Sequence, residues 1–249
     1  MTVLLIRANR NEVDREALRE RGVESVVDPY LQICQVDNPQ GAARLLAEIT
    51  NGDAAWLVIT SHNALDFWAS QLPAGSLEAA LRDSPGLGIA AIGSSSARAI
   101  RGYGATDILL PSEGTSRVLA EILAERTPGL IVMPSGSLSM RSIPDTLEPR
   151  GFRIIEEVFY RTEFAPEQPP SAGKLSEWGI TDVLFRSPSA VRAFVNFQSD
   201  IRAGVRMIAT GPTTAAEMQQ HGIPVAAVCP DSSPETVATT IASLQEQTA

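Results

Sequence analysis

The chain has 249 residues, enough for one large domain or two small ones at roughly 100–150 residues per typical domain. A hydrophobic content of 44% supports a packed core, and 18 Gly with 17 Pro bring turns without low-complexity bias, which excludes disordered and collagen-like chains. Lys174 and nineteen arginines stand against 29 acidic residues, for a net charge of −9; that excludes a duplex-coating nucleic-acid protein but leaves room for a local arginine pocket.

Along the chain, Val3–Ile6 reads as a strand with no basic leader or cleavage signal before it. Asn11–Arg21 follows as an amphipathic helix, then the strand Ser25–Val27 and the helix Gly41–Ile49. The runs Trp56–Thr60, Ile89–Ile92, Leu130–Met133 and Arg153–Ile155 read as buried parallel strands, with the helix Ser116–Arg126 among them. Val183–Phe185, Met207–Ala209 and Val225–Val228 are further strands, alternating with the helices Ser189–Phe197 and Glu235–Leu244. Ser187-Pro188 and Ser233-Pro234 place a cap residue before proline at a helix start, and Ser232 with Glu235 has the spacing of a capping box. Such alternation defines an α/β fold with parallel sheets. No apolar run approaches the roughly 18 residues of a membrane helix. Cys34 and Cys229 lie far apart, and His62 and His221 complete no zinc spacing. Two buried thiols in a reducing cytosol are expected.

An internal repeat organises these elements. Gly93-Ser94-Ser95-Ser96-Ala97, closed by Gly104, matches Gly211-Pro212-Thr213-Thr214-Ala215, closed by Gly222. Leu57 through Ala64 matches Val183 through Ala190, and the stretch from Val3 through Leu18 to Gly22 matches that from Val132 through Leu147 to Gly151. Three blocks in one order indicate two copies of one unit, breaking near Pro128.

Each copy carries two hydroxyl-rich strand-to-helix junctions. Thr60-Ser61, with Asn63, pairs with Ser187-Pro188-Ser189; Ser94, Ser95 and Ser96 pair with Gly211, Thr213 and Thr214. Free amides and the positive end of the helix dipole make such junctions suited to anions, and ligands of open α/β sheets sit at this end of the strands. Plain helix capping is the alternative use of the same hydroxyls. No GxxxxGK[ST], GxGxxG or GxSxG occurs, so chemistry without metal or cofactor is expected. His62 and His221 read as surface or capping residues. Tyr160, in the β-prone run Val158–Thr162, is either a proton donor to a leaving oxygen or a packing residue on an edge strand.

The run Leu4-Leu5-Ile6-Arg7, the segment Pro29–Ile33 before a crossover, and Val58–Ala64 stand in the order of a known family, followed by Ala91–Ala97 and by Gly136 with Arg141, Leu147 and Gly151. Val158–Thr162, Phe185–Val191 and Gly211–Ala215 complete the set. In order and spacing these segments resemble the uroporphyrinogen-III synthase family across nearly the whole chain. Three positions depart from its pattern: Ala8 where the family usually has Pro, Ser96 where Thr is common, and Arg186 where a small hydroxyl residue is usual.

The resemblance implies two parallel-sheet α/β domains, each with helices on both faces, joined by a two-stranded linker that permits hinge motion. Residues 1–33 plus 164–249 would form one domain, 38–157 the other, and 30–37 with 158–163 the linker. It implies cyclisation of the polyanionic linear tetrapyrrole hydroxymethylbilane to uroporphyrinogen III, with loss of water and inversion of the last ring. Tyr160 would assist the departing hydroxyl; Arg7, Gly136, Arg141, Arg186 and the four junctions would hold the substrate. Arg186 has a competing use, a surface pair with Asp182. A cytoplasmic monomer is implied, with no cofactor, no nucleic-acid or membrane partner, and hand-over from hydroxymethylbilane synthase. A non-catalytic two-domain relative that closes on an anionic ligand is the alternative, since it needs the junctions but not Tyr160.

Overall fold

The apolar runs become the central strands of two sheets in a computed structural model that describes residues 1–139, 141–198 and 204–246. The first half supplies β1 (Thr2–Leu5), α1 (Asn11–Glu20), β2 (Glu24–Val27), β3 (Leu31–Gln35), α2 (Pro39–Thr50) and β4 (Ala54–Ile59). It continues with α3 (His62–Ala69), α4 (Ser76–Asp83), β5 (Gly88–Ala91), α5 (Ser94–Arg101), β6 (Ile108–Leu109) and α6 (Ser116–Ala124). The second half supplies β7 (Leu130–Gly136), α7 (Ser142–Leu147), β8 (Arg153–Phe164), β9 (Ile180–Phe185) and α8 (Pro188–Phe197). Then come β10 (Arg206–Ala209), α9 (Pro212–Gln220), β11 (Ala227–Val228) and α10 (Pro234–Glu246).

The chain divides into unit 1, Met1–Ile33 with Thr162–Ala249, and unit 2, Cys34–Arg161. Unit 1 holds a five-stranded sheet, β11-β10-β9-β1-β2, with every neighbouring pair parallel. Unit 2 is built on the order β3-β8-β7-β4-β5-β6, parallel from β8 to β6. At its edge Val36 N donates to Phe159 O (2.9 Å) while the side chains of Gln32 and Glu163 meet at 3.5 Å; the numbers run in opposite senses, so β3 lies antiparallel to β8.

The two-residue period of the strands explains why helices cover both faces of each sheet. In β1, Leu4 joins a core with α8 and α9, including Phe194 and Met218, while Val3 and Leu5 join a core with α1 and α10, including Leu18 and Ile241. In β4, Leu57 and Ile59 pack with Leu45, Trp68 and Ile100, and Val58 packs on the opposite side with Leu119 and Leu147.

The repeat maps onto these sheets in a crossed manner. Strands β2, β1, β9, β10 and β11 of unit 1 occupy the places that β8, β7, β4, β5 and β6 occupy in unit 2. Each sheet therefore takes two of these strands from one half of the chain and three from the other.

Some local readings are corrected. Arg153–Ile155 and Val158–Thr162 belong to one continuous strand, β8, paired with β7 up to Gly136↔Tyr160. The last strand shrinks to Ala227–Val228. The cap of α10 is Ser233, whose Oγ accepts from Thr236 N (3.3 Å), and not Ser232. Cys229 is buried, but Cys34 is only half-buried. Among the described residues no helix is long and apolar enough to cross a membrane.

Candidate functional site

In unit 2, β4 ends at Ile59, and Thr60 and Ser61 form the turn into α3. Both are half-buried. Ser61 is the extended N-cap, yet its side chain makes no cap bond. Asn63 is the second residue of α3. After β5, the N-cap of α5 is Gly93, so Ser94, Ser95 and Ser96 are the first three helical residues. Ser94 is exposed, Ser95 half-buried and Ser96 buried. In unit 1 the counterpart α9 starts the same way: Gly211 is an uncapping N-cap, Thr213 is exposed and Thr214 is buried. Neither glycine is demanded by sterics, because a Cβ would meet nothing within 4 Å at either position and their backbones are extended. A glycine there leaves the first-turn amides uncovered by any cap side chain. Ser96 and Thr214 stand one turn inside their helices and cap neither.

The fourth junction differs. Ser187 caps α8 by accepting from Ala190 N (3.3 Å), and its hydroxyl also shares a hydrogen bond with Ser189 (2.9 Å). Capping is the structural use of Ser187.

Tyr160 lies on β8 opposite Gly136 of β7. A Cβ built on Gly136 would fall 2.3 Å from the Tyr160 Cζ, so glycine is what lets the phenol ring lie across the end of β7. Phe67 tilts against the ring at 6.3 Å between centroids. Ser137 N donates to Tyr160 O (2.9 Å), and Ser135 Oγ donates to Glu157 O (3.4 Å), which ties the strand ends together. No hydrogen bond joins the Tyr160 hydroxyl to another described residue. Arg141 is exposed and pairs with Asp145 across one helical turn (3.3 Å).

Arg186 is where the structure departs most from expectation. Its partner is Asp14 of α1 and not Asp182. Arg186 Nε donates to Asp14 Oδ2 (3.0 Å), Nη2 donates to Asp14 Oδ1, and Nη1 donates to the Ser232 carbonyl (2.5 Å). The side chain is only 11% exposed and Asp14 1%. Its donors are committed inside unit 1, so it does not reach out as an open carboxylate receptor. Asp182 is held instead by Arg206 (2.7 and 2.9 Å) with Thr181 and Gln245. Arg7, at the end of β1, stands 3.7 Å from the same Asp14. Burial pulls its guanidinium below its ordinary pKa, Asp14 opposes this, and Arg186 and Arg10 add to the lowering. Asp14 was invisible as a site residue, although it falls on the inward stripe with Ala17 and Leu18, where an acid needs a partner.

The expected residues thus gather at the carboxyl edges of two sheets: Thr60, Ser61, Asn63, Ser94–Ser96, Gly136 and Tyr160 in unit 2; Arg7, Arg186, Ser187, Ser189, Gly211, Thr213 and Thr214 in unit 1. Arg141 stands apart on a surface pair. The apolar cavity of about 440 Å³ lined by Met1, Thr181, Arg206 and Val225 lies at the opposite, amino end of unit 1's strands and is not part of these edges.

Two α/β units with matched junctions at the carboxyl ends of their strands define a two-unit, parallel-sheet α/β protein. The uroporphyrinogen-III synthase (HemD) family model matches residues 12–238, and the chain belongs to that family. Its activity is accordingly that of a uroporphyrinogen-III synthase, an enzyme of tetrapyrrole biosynthesis. The fold is shared with a mutant uroporphyrinogen III synthase from the extreme thermophile Thermus thermophilus (17% identity, 99% of each chain, TM-score 0.65). It is shared too with uroporphyrinogen-III synthetase from Helicobacter pylori (16% identity, 98% of each chain, TM-score 0.59).

Proposed function

We propose that the enzyme is a lyase that works on hydroxymethylbilane chiefly by positioning. The pyrrole nitrogen of the first ring drives out the terminal hydroxyl, which leaves as water once protonated. The substituted carbon of the last ring then attacks the exposed methylene and forms a spiro centre. Breaking the old bond from that ring to its bridge, re-forming it at the ring's other, unsubstituted α-carbon across the nitrogen, and losing that carbon's proton completes the inversion. The energetic task of the protein is to hold a flexible polyanion in the conformer in which the hindered carbon is the one that attacks.

The observation that supports this assignment is the matched pair Gly93 and Gly211, two helix starts left without a capping side chain beside buried Ser96 and Thr214. Amides at these starts, with Thr60, Ser61, Asn63, Ser94, Ser95 and Thr213, receive the acetate and propionate arms, and Tyr160 donates to the departing hydroxyl. In this reading Gly136 serves the reaction by making room for the phenol, and Ser187 and Ser189 by shaping the α8 start. The enzyme acts as a cytoplasmic monomer that receives its unstable substrate from hydroxymethylbilane synthase.

Incubating the protein with hydroxymethylbilane and separating the uroporphyrinogen isomers tests the reading. Isomer I forms spontaneously; an excess of isomer III is the expected result, and isomer I alone would overturn it.

A further inference from the structure

No hydrogen bond from a described residue aims the Tyr160 hydroxyl. The torsion that turns a phenol ring is broad and roughly two-fold, so the tilt of the ring is set by what it touches. At its hydroxyl end the ring is limited by Gly136, where a Cβ would fall 2.7 Å from the Tyr160 oxygen. The second limit is Phe67 of α3, whose ring is tilted by 37° against the phenol with 6.3 Å between centroids. Phe67 is half-buried and stands in the last turn of the helix that the Thr60-Ser61 junction starts.

A second feature holds Phe67 itself. Gln71, just beyond α3, donates from Nε2 to the Phe67 carbonyl (3.2 Å) and to the Val36 carbonyl (2.9 Å), and its Oε1 accepts from Asn38 N (2.6 Å). Val36 N in turn donates to the carbonyl of Phe159 (2.9 Å), the residue before Tyr160. Asn38 Nδ2 reaches the same strand at Glu157 Oε2 (3.1 Å) and at the Val158 carbonyl (3.5 Å). One side-chain amide thus engages both donors and its oxygen to tie the end of α3 to the strand that carries the phenol. The internal repeat separates this arrangement from the common frame. By the offset 187 − 61, Leu65 and Trp68 match Val191 and Phe194, apolar and buried in both units, whereas Phe67 matches Ala193 and Gln71 matches Phe197. At these matched positions the ring and its strap occur only in the unit whose edge holds Tyr160.

We propose that Phe67 is a positioning residue for the reaction: it holds the Tyr160 phenol in the tilt at which its hydroxyl meets the departing hydroxyl, and Gln71 is the strap that keeps Phe67 in place. The proposal rests on the reading that Tyr160 donates to that leaving group. Phe67 acts through Tyr160 and not on the substrate, so its contribution belongs to kcat and not to substrate affinity.

The test is steady-state kinetics of single and double variants on hydroxymethylbilane, with thermal melts taken alongside. Phe67→Ala should lower kcat roughly tenfold, short of the hundredfold that an ångström of misplacement costs, and leave KM within about twofold. Phe67→Leu should recover part of kcat, because an apolar side chain still leans on the ring. Gln71→Met, close in size but without the amide, should lower kcat about threefold. In the Tyr160→Phe background neither Phe67→Ala nor Gln71→Met should lower kcat much further, since both act through the missing hydroxyl. A packing role alone predicts lower melting temperatures and the same fold-loss of kcat in both backgrounds; that result, or wild-type kcat in Phe67→Ala, would overturn the proposal. If Phe67→Ala does not fold, Gln71→Met in the two backgrounds decides it. Full turnover in Tyr160→Phe would overturn the reading of Tyr160 and the proposal with it, whereas a slow Tyr160→Phe beside a fully active Phe67→Ala would overturn the proposal alone.

Discussion

At the turn after β1, unit 1 buries Asp14 between two arginines; at the turn after β7, its counterpart in unit 2, a phenol ring lies on a glycine. The strand orders are the same, so the backbone offers the same kind of edge in both places. What differs is how each edge is held. Unit 1 uses ion pairs that reach across 172 residues of sequence, from Arg186 to Asp14, and unit 2 uses steric fit between neighbouring strands. The same contrast recurs one layer out. Arg192 of α8 pairs with Glu217 of α9 (3.0 Å), whereas the positions matching them in unit 2, by the offsets 187 − 61 and 211 − 93, are Asp66 and Ala99, which form no ion pair. Duplication thus conserved the frame and left each edge free to specialise, one toward charge and one toward a neutral hydroxyl.

The largest effect that would break this contrast is Arg186→Thr. It should cost about 3 kcal/mol of stability, read from chemical denaturation, because Asp14 would be left buried with only the distant Arg7. A cost below about 0.5 kcal/mol would mean that unit 1 does not depend on its ion pairs.

Next in size is the steric counterpart. Gly136→Ala places a methyl carbon where the Tyr160 ring now lies, and should lower stability by about 1–3 kcal/mol while also lowering turnover. Wild-type melting and turnover would show that the ring has another resting place. Tyr160→Phe separates the two functions of that side chain. It keeps the packing, and with no described hydrogen-bond partner lost the melting temperature should hold. Turnover should fall roughly 10–100-fold, about 1.4–2.7 kcal/mol of transition-state stabilisation. Full turnover would return Tyr160 to packing alone.

The smallest effects concern features the units share and one they do not. Gly93→Ser and Gly211→Ser should each add a few tenths of a kcal/mol by capping α5 and α9, and each should weaken turnover by covering the open amides. Gains in stability with no loss of turnover would detach these helix starts from the reaction. In Glu217, burial works to raise the carboxyl pKa, but Arg192 and His221 outweigh it and hold the value below the ordinary one. The charge of Glu217 therefore adds stability above the unfolded value near 4.3, and that contribution is lost as the pH falls through the lowered folded value. Glu217→Gln should leave stability at pH 3 nearly unchanged and reduce it slightly at pH 6, read by thermal melts at both.

Much of this was legible in the chain itself. Central strands announced themselves as apolar runs, and the repeat was visible because glycine-hydroxyl turns sit at fixed spacing, 118 residues apart in Gly93/Gly211 and in Gly104/Gly222. Helix starts at Ser187 and Ser233 followed from serine before proline. The continuity of β8 was hidden because Glu156-Glu157 interrupts its apolar pattern, although both residues are only half-buried. The partner of Arg186 was out of reach for a different reason. Asp182 is close in sequence, but it lies within β9 and is taken by Arg206, whereas Arg186 follows the strand's last residue, Phe185, and the neighbour that counts comes from α1. Pairings set by tertiary topology leave no mark at short spacing.

The crossing of the halves also sets an order of events at birth. Unit 2 is one unbroken stretch, 34–161, so every strand of its core is available once that stretch has been made. Unit 1 has no such luck: β1 and β2 are made first, yet β9, the strand that must lie beside β1, begins only at Ile180. At about 5–20 residues per second the ribosome leaves Val3-Leu4-Leu5-Ile6 without its partner for on the order of ten seconds or more. During that time an apolar strand with open edges hangs from a half-made chain, a natural client for a chaperone and a natural seed for aggregation.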